Sequence, residues 1–319
     1  MQLISDNIEE RVFNNDKRSV SRAISKIETG NSNSIEILKE LHKNTGRAYR
    51  IGITGPPGAG KSTLTNQITK YYRVQNKTVG IIAVDPTSPF SGGALLGDRV
   101  RMSEVGCDEG VFIRSMATRE SLGGLSRKTI DAADVLDAAG YDIIIFETVG
   151  VGQSELDIAK AADTTIVVLI PESGDSIQAM KAGLMEIADF FVLNKSDRPG
   201  ADAAITAVRT ILTFGNHTEK DWIPSIIKAV ASENGGTKEI VDEIERHKNY
   251  LIDNGILDKK RQKNYKVRIK EIVEELIKAE LWKDHRNESL EESLIKVTTG
   301  ETSPYQVAEA LFKEFKSSI

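Results

Sequence analysis

Residues 50–63 read RIGITGPPGAGKST. An apolar, β-branched run ends at Thr54, and Gly55, Gly58 and Gly60 then alternate with Pro56, Pro57 and Ala59 before Lys61-Ser62-Thr63. A G-x-x-x-x-G-K-[S/T] spacing between a strand and a helical run is that of a phosphate loop. Glycines let successive backbone N–H groups curl around a phosphate without Cβ clashes. A helix beginning at Lys61 would turn the positive end of its dipole toward the same anion. Lys61 would place a compact charge between β- and γ-phosphates, and the Ser62 hydroxyl would ligate Mg²⁺.

Outward from this loop, short β-rich runs recur at 49–54, 78–84, 111–113, 142–146, 164–170, 190–193 and 226–230. Most are nearly continuous in apolar residues, as in strands buried on both faces. Helical stretches at 62–75, 129–139, 176–187 and 201–212 lie between them. Strand alternating with helix predicts an α/β fold, a mainly parallel doubly wound sheet of the P-loop NTPase kind. Residues 1–45 carry apolar positions at helical spacing and read as an N-terminal helical hairpin. After Gly236 the pattern is helical again, at 238–254 and 259–282. A last helix opens at Ser303-Pro304-Tyr305-Gln306, a Ser cap, a proline at the first helical position and a capping-box glutamine. The expected division is 1–45 helical, 46–236 nucleotide-binding, and 237–319 helical with a dimerising role.

Composition sets the outer limits. The chain has 319 residues, 39% hydrophobic and 28% charged, with 42 Lys and Arg against 47 Asp and Glu, a formal charge of −5. The acidic balance argues against bulk nucleic-acid binding. The one cysteine, Cys107, forms no internal disulfide and points to a reducing, cytoplasmic setting. No apolar run is long enough for a membrane span. The four histidines, His42, His217, His247 and His285, are scattered, and each reads as a satisfied surface histidine.

Two further strand ends carry chemistry. The run 142–146 (DIIIF) ends in Glu147-Thr148-Val149-Gly150, and an acid at the tip of a hydrophobic strand is where a P-loop enzyme holds Mg²⁺. The run 190–193 ends in Asn194-Lys195-Ser196-Asp197. N-K-x-D at a strand end reads guanine: the Asp197 carboxylate accepts from N1–H and the exocyclic amine together, an arrangement that adenine lacks. The Lys195 stem would stack on the base. Ser232, Glu233 and Asn234, after a later strand, are placed for backbone N–H contacts to guanine O6. Between the loop and Glu147, a Pro- and Gly-bracketed segment carries Asp85 and Asp98, candidates for metal ligation or for positioning water, and Arg101, a candidate for transition-state charge.

Taken together, GPPGAGKST, VDPTSPFSGGALLGDRVRM, IRSMATRESLGGLS, ETVGVGQSELD, PESGDSIQAMKAG and LNKSD resemble the MeaB/ArgK family of P-loop GTPases over about residues 20–319. The resemblance implies a homodimeric GTPase that binds GTP/GDP and Mg²⁺. Its implied partner is an adenosylcobalamin-dependent mutase of the methylmalonyl-CoA mutase type, whose cofactor loading it gates and which it protects. It implies that residues 55–63 bind phosphates and that Ser62, Asp85, Asp98, Glu147 and Thr148 surround Mg²⁺. Asn194, Lys195, Asp197 and 232–234 would hold guanine, and 173–181 would form a third switch facing the mutase. An older family label, a transport-system kinase for arginine or ornithine, and a metallochaperone GTPase are the alternatives, together with an adaptor whose hydrolysis is incidental. The kinase lacks an evident acceptor site, and the metallochaperone lacks a Cys/His cluster.

Overall fold

A computed structural model describes residues 8–31, 33–86, 103–118, 127–148, 154–173, 182–213 and 222–318. Among them the apolar runs form β1 (Tyr49–Thr54), β2 (Val79–Pro86), β3 (Val111–Thr118), β4 (Ile143–Thr148), β5 (Thr164–Leu169), β6 (Phe190–Leu193) and β7 (Ile226–Lys228). They pair in parallel in the order β3-β2-β4-β1-β5-β6-β7. The expected parallel α/β fold is present. The phosphate-loop strand β1 is central, with Ile53 level with Glu147 of β4 on one side and Thr54 level with Val167 of β5 on the other.

β4 and β5 are buried at every position, which is why their sequences run apolar without alternation. One face of the sheet packs with the helices Lys61–Val74 and Thr237–Asp253 through Leu64, Ile68, Ile240, Val241 and Ile244. The other packs with Arg127–Ala138 and Ser154–Ala161. Among its described residues the N-terminal region, expected as a hairpin, forms three helices, Ile8–Phe13, Lys17–Thr29 and Ser34–Leu41. Their Val20, Ile24, Ile27, Ile37 and Leu41 share a core with Val135 and Leu136 of helix Arg127–Ala138.

The chain divides into two compact units, residues 1–257 and 258–319. Helix Thr237–Asp253 therefore belongs with the sheet, although the sequence reading groups it with the C-terminal helices. His247 on this helix is 2% exposed, which corrects its reading as a surface residue. Its Nδ1 lies 2.8 Å from Thr164 Oγ1, and that oxygen lies 2.6 Å from Tyr49 Oη. His42 and His285 are exposed, and His217 lies outside the described residues.

The second unit is helical: Ile256–Leu281 from Asp258 onward, then Asp284–Thr298 and Pro304–Ser317. The last helix has the expected cap, with Ser303 Oγ accepting from Gln306 N and the Gln306 side chain accepting from Ser303 N. Arg286 is buried here, donating to the carbonyls of Glu280 and Leu281 and to Ser318 Oγ, with its guanidinium over the Phe315 ring. Helix Ile256–Leu281 has no buried residue and exposes Val267, Ile269, Ile272, Val273, Leu276 and Ile277.

The start of β1 is fixed by one carboxylate. Asp137, at the end of helix Arg127–Ala138, accepts from the backbone N–H groups of Gly46, Arg47 and Ala48 at 2.8, 3.0 and 3.0 Å. Arg50 reaches Asp134 at 2.7 Å and Asp137 at 3.3 Å. Burial works against the charge on Arg50, but Asp134, Asp137 and Asp163 outweigh it and raise its pKa. Removing Asp137, itself 1% exposed, would take away the carboxylate that these three backbone N–H groups share and one of the two acceptors that hold the Arg50 guanidinium. Asp137→Ala is expected to cost about 3 kcal/mol or more of unfolding free energy, and Asp137→Asn, which keeps one acceptor, clearly less. Urea unfolding of the two variants checks the order.

Candidate functional site

The site lies where the sheet's order places it, at the carboxyl end of β1 between β4 and β5. Residues 55–60 leave β1 and enter helix Lys61–Val74 at Gly60. Gly55 has φ +138°, and a Cβ built on it would lie 2.2 Å from the Val168 carbonyl oxygen of β5. Gly60 has φ +87°, and its Cβ would lie 2.3 Å from Asn194 Nδ2. Both positions require a residue without a side chain, one against backbone and one against a polar partner.

Lys61 is 6% exposed, and its Nζ donates to the carbonyls of Gly55 and Pro56 at 2.8 and 2.9 Å. The ammonium is thus folded back over the loop. Ser62 Oγ donates to Glu147 Oε1 at 2.5 Å. Two oxygen ligands of the kind hard divalent cations prefer are brought together here from residues 85 positions apart. Next to Glu147, Thr148 Oγ1 donates to Thr54 Oγ1 at 2.9 Å, tying the tips of β4 and β1.

The NKSD segment meets the loop from the β6 side. Asn194 is 3% exposed and uses both ends of its amide: Nδ2 donates to Ala59 O at 2.8 Å, and Oδ1 accepts from Ala231 N at 3.0 Å. Lys195 sits at φ +55°, and its Nζ donates to Gly58 O at 2.9 Å. Asp197 is exposed beside them, and Ser232, Glu233 and Asn234 are exposed on the adjoining turn. That turn is closed by Val230 and Gly235, which bond to each other through both backbone pairs. The loop at 55–60, the motif at 194–197 and the turn at 231–234 therefore converge, as the sequence reading expects.

Other expected residues are described only in part or lie outside the described residues. Asp85 lies in β2, level with Ala117 of β3, and only its backbone place is described. Asp98 and Arg101 lie outside the described residues, as do residues 174–181 of the expected third switch. Sequence reasoning passes over Gln67, whose Nε2 donates to Ala231 O at 3.1 Å. It also passes over Arg198, which pairs with Glu172 at 2.5 Å. No motif flags either one; only the spatial neighbourhood does.

The glycines permit a comparison within the loop. Gly58 also has positive φ, +76°, but nothing lies within 4 Å of its Cβ position. Gly58→Ala is expected to cost only the left-handed strain, roughly 1–2 kcal/mol. Gly55→Ala must in addition push back the β5 backbone, and should lower the thermal midpoint of the ligand-free protein distinctly more. Calorimetric melting of the two variants side by side tests this ranking.

Comparison with known proteins gives this geometry a setting. The family described as "Methylmalonyl Co-A mutase-associated GTPase MeaB" matches residues 20–286. A Pyrococcus abyssi protein named as a candidate GTPase is 46% identical over 311 residues, 97% of this chain and 96% of that one. The mitochondrial methylmalonic aciduria type A homolog of Mus musculus is 36% identical over 285 residues, 86% of this chain and 68% of its own. Among solved structures, a LAO/AO transport system kinase superposes with a TM-score of 0.73 at 26% identity, covering 99% of this chain and 100% of that one. With this phosphate loop and its N-K-x-D motif on a parallel sheet, and with the family match over residues 20–286, the chain belongs to the MeaB family of P-loop GTPases.

Proposed function

We propose that this GTPase serves an adenosylcobalamin-dependent acyl-CoA mutase of the methylmalonyl-CoA type, gating its cofactor loading and protecting it, and that GTP turnover is the timing step. The observation that carries the nucleotide half of this reading is the Asn194 bridge, which joins the phosphate loop to both base-reading segments. The partner half is supported by the family description and by the name of the mouse relative.

In this reading, residues 55–63 hold the phosphates by backbone N–H groups, and Lys61 moves from the Gly55 and Pro56 carbonyls to the β- and γ-phosphates. Asp197 accepts from guanine N1–H and N2–H₂, Lys195 lies along the base, and the backbone of 232–234 meets O6. Ser62 Oγ and Glu147 Oε1, already side by side, suit a Mg²⁺ ion, with Thr148, Asp85 and Asp98 as further candidate ligands. When bound, Mg²⁺ would neutralise charge on the β- and γ-phosphate oxygens. Asp98 or Arg101 would act at the γ-phosphate, and a mutase that binds the hydrolysis-competent state better would shift the population toward it by its differential affinity. Residues 173–181, which follow the strand beside β1, would carry the mutase contact.

The exposed apolar positions of helix Ile256–Leu281 support a homodimer formed through the C-terminal unit. None of the described helices is long and apolar enough to cross a membrane, and we place the protein in the cytoplasm. A second reading, phosphoryl transfer within a transport system, is suggested by the name of the similar solved structure. GTP labelled at the γ-phosphate separates the two: hydrolysis stimulated by the mutase releases inorganic phosphate, whereas a kinase leaves label on a protein.

Lys61→Ala should lose the charge that becomes most favourable as the γ-phosphate departs, a loss of about 10²-fold or more in turnover. Steady-state hydrolysis with and without methylmalonyl-CoA mutase measures it, and unchanged turnover in the variant would overturn the assignment. Asp197→Asn turns an acceptor into a donor facing N1–H. GTP affinity should drop, and xanthosine triphosphate, which offers a carbonyl in place of the amine, should bind better than it does to the wild type. Competition binding of the two nucleotides reads this exchange directly.

A further inference from the structure

We propose that Gln67 is a specificity-determining residue of the base pocket, acting as a positioning residue for the turn that meets guanine O6. The proposal rests on the guanine reading given above and adds to it a residue that no motif marks.

The argument starts from the Ala231 peptide groups. Ala231 is 2% exposed and begins the turn carrying Ser232, Glu233 and Asn234. Its N–H is held by Asn194 Oδ1 at 3.0 Å, and its carbonyl oxygen accepts from Gln67 Nε2 at 3.1 Å. The residue is thus gripped from both sides. One grip comes from the base motif, and the other from the phosphate-loop helix, less than two turns beyond Lys61. Beyond Ala231 the turn closes on itself: Glu233 N donates to Val230 O, Asn234 N donates to Ala231 O, and Asn234 sits at φ +58°. The Ala231 carbonyl therefore accepts from within the turn, at 3.4 Å, as well as from Gln67. Of the two, the side-chain bond is shorter and fixes the tilt of the peptide whose N–H belongs to Ser232. Turning that peptide re-aims the N–H groups of 232–234, which are the donors O6 would meet. Asp197, which reads N1–H and N2–H₂, stands on a different strand end and does not depend on Gln67. The two halves of base recognition are therefore separable: Gln67 governs the O6 half alone.

Separability dictates the experiment. GDP and 6-thioguanosine diphosphate share N1–H and the exocyclic N2 amine, but the second carries sulfur, a much weaker acceptor, in place of O6. Both are titrated into the full-length protein for wild type, Gln67→Leu and Gln67→Met, with thermal midpoints recorded alongside. The two replacements remove the donor at similar volume, so a folding failure in one leaves the other to decide. Losing one net hydrogen bond at a neutral acceptor predicts a roughly three- to tenfold rise in Kd for GDP. The analogue's Kd should change far less, and the preference of GDP over xanthosine diphosphate at Asp197 should be unchanged. Gln67→Lys, which keeps a donor within reach of the same carbonyl, should recover part of the loss. Equal weakening of both nucleotides would mean that Gln67 acts through the phosphate loop, and would overturn the proposal. Unchanged GDP affinity in both Leu and Met variants would overturn it as well. If wild-type protein binds GDP no better than ADP, the guanine reading itself fails, and the inference with it; a selective wild type with indifferent Gln67 variants removes the inference alone.

Discussion

A parallel sheet gathers residues distant in sequence at one place only, the carboxyl edge of its strands, and here that edge is organised around a central strand with no room at its tip. β1 ends between β4 and β5, and Gly55 leaves it against the Val168 carbonyl so closely that a methyl group would meet backbone at 2.2 Å. The loop must therefore turn where it does. Once it turns there, the rest follows from strand order. Glu147, one strand over, is delivered to Ser62; Asn194, two strands over on the other side, is delivered to Ala59. The opposite end of β1 is held as firmly, by a single buried carboxylate that collects three backbone donors and an arginine. The strand is pinned at its start and crowded at its end, which suits an element that must present a loop in one place.

Much of this was legible in the residues, for identifiable reasons. β1 and β6 carry the bounds expected from their apolar runs, because buried parallel strands have few ways to be written. The capping box at Ser303 was legible because its signal is local. Helix Asp284–Thr298 was not: it starts at Lys283 with no side-chain cap, so no start signal marks it. The burial of His247 could have been read. Ile240, Ile244, His247 and Leu251 recur at helical spacing and are all buried, so the histidine sits in the apolar stripe.

At the site, the motif residues were readable because phosphate and guanine each demand particular atoms at particular spacings. What joins them was not. The bridge from Asn194 to Ala231 and the grip of Gln67 on the same residue span 37 and 164 positions. They depend on β6 lying two strands from β1, a fact of topology that no local pattern carries. A glutamine on a helix surface looks the same whether it faces solvent or holds a turn. The N-terminal helices teach the same lesson: their amphipathic spacing predicts helices, but not that their apolar faces would be spent on helix Arg127–Ala138.

The position of Lys61 has a further consequence. Its ammonium is already stripped of most water and satisfied by the Gly55 and Pro56 carbonyls. An arriving phosphate therefore exchanges one set of partners for another instead of capturing a solvated ion, and the net gain in ground-state affinity is small. Carbonyl dipoles, however, offer a fixed field, whereas the oxygens of a departing phosphoryl group gain negative charge as the bond stretches. The same exchange grows more favourable along the reaction than it was at its start. A self-tethered cation of this kind contributes little to how tightly the fuel is held and much to how fast it is consumed.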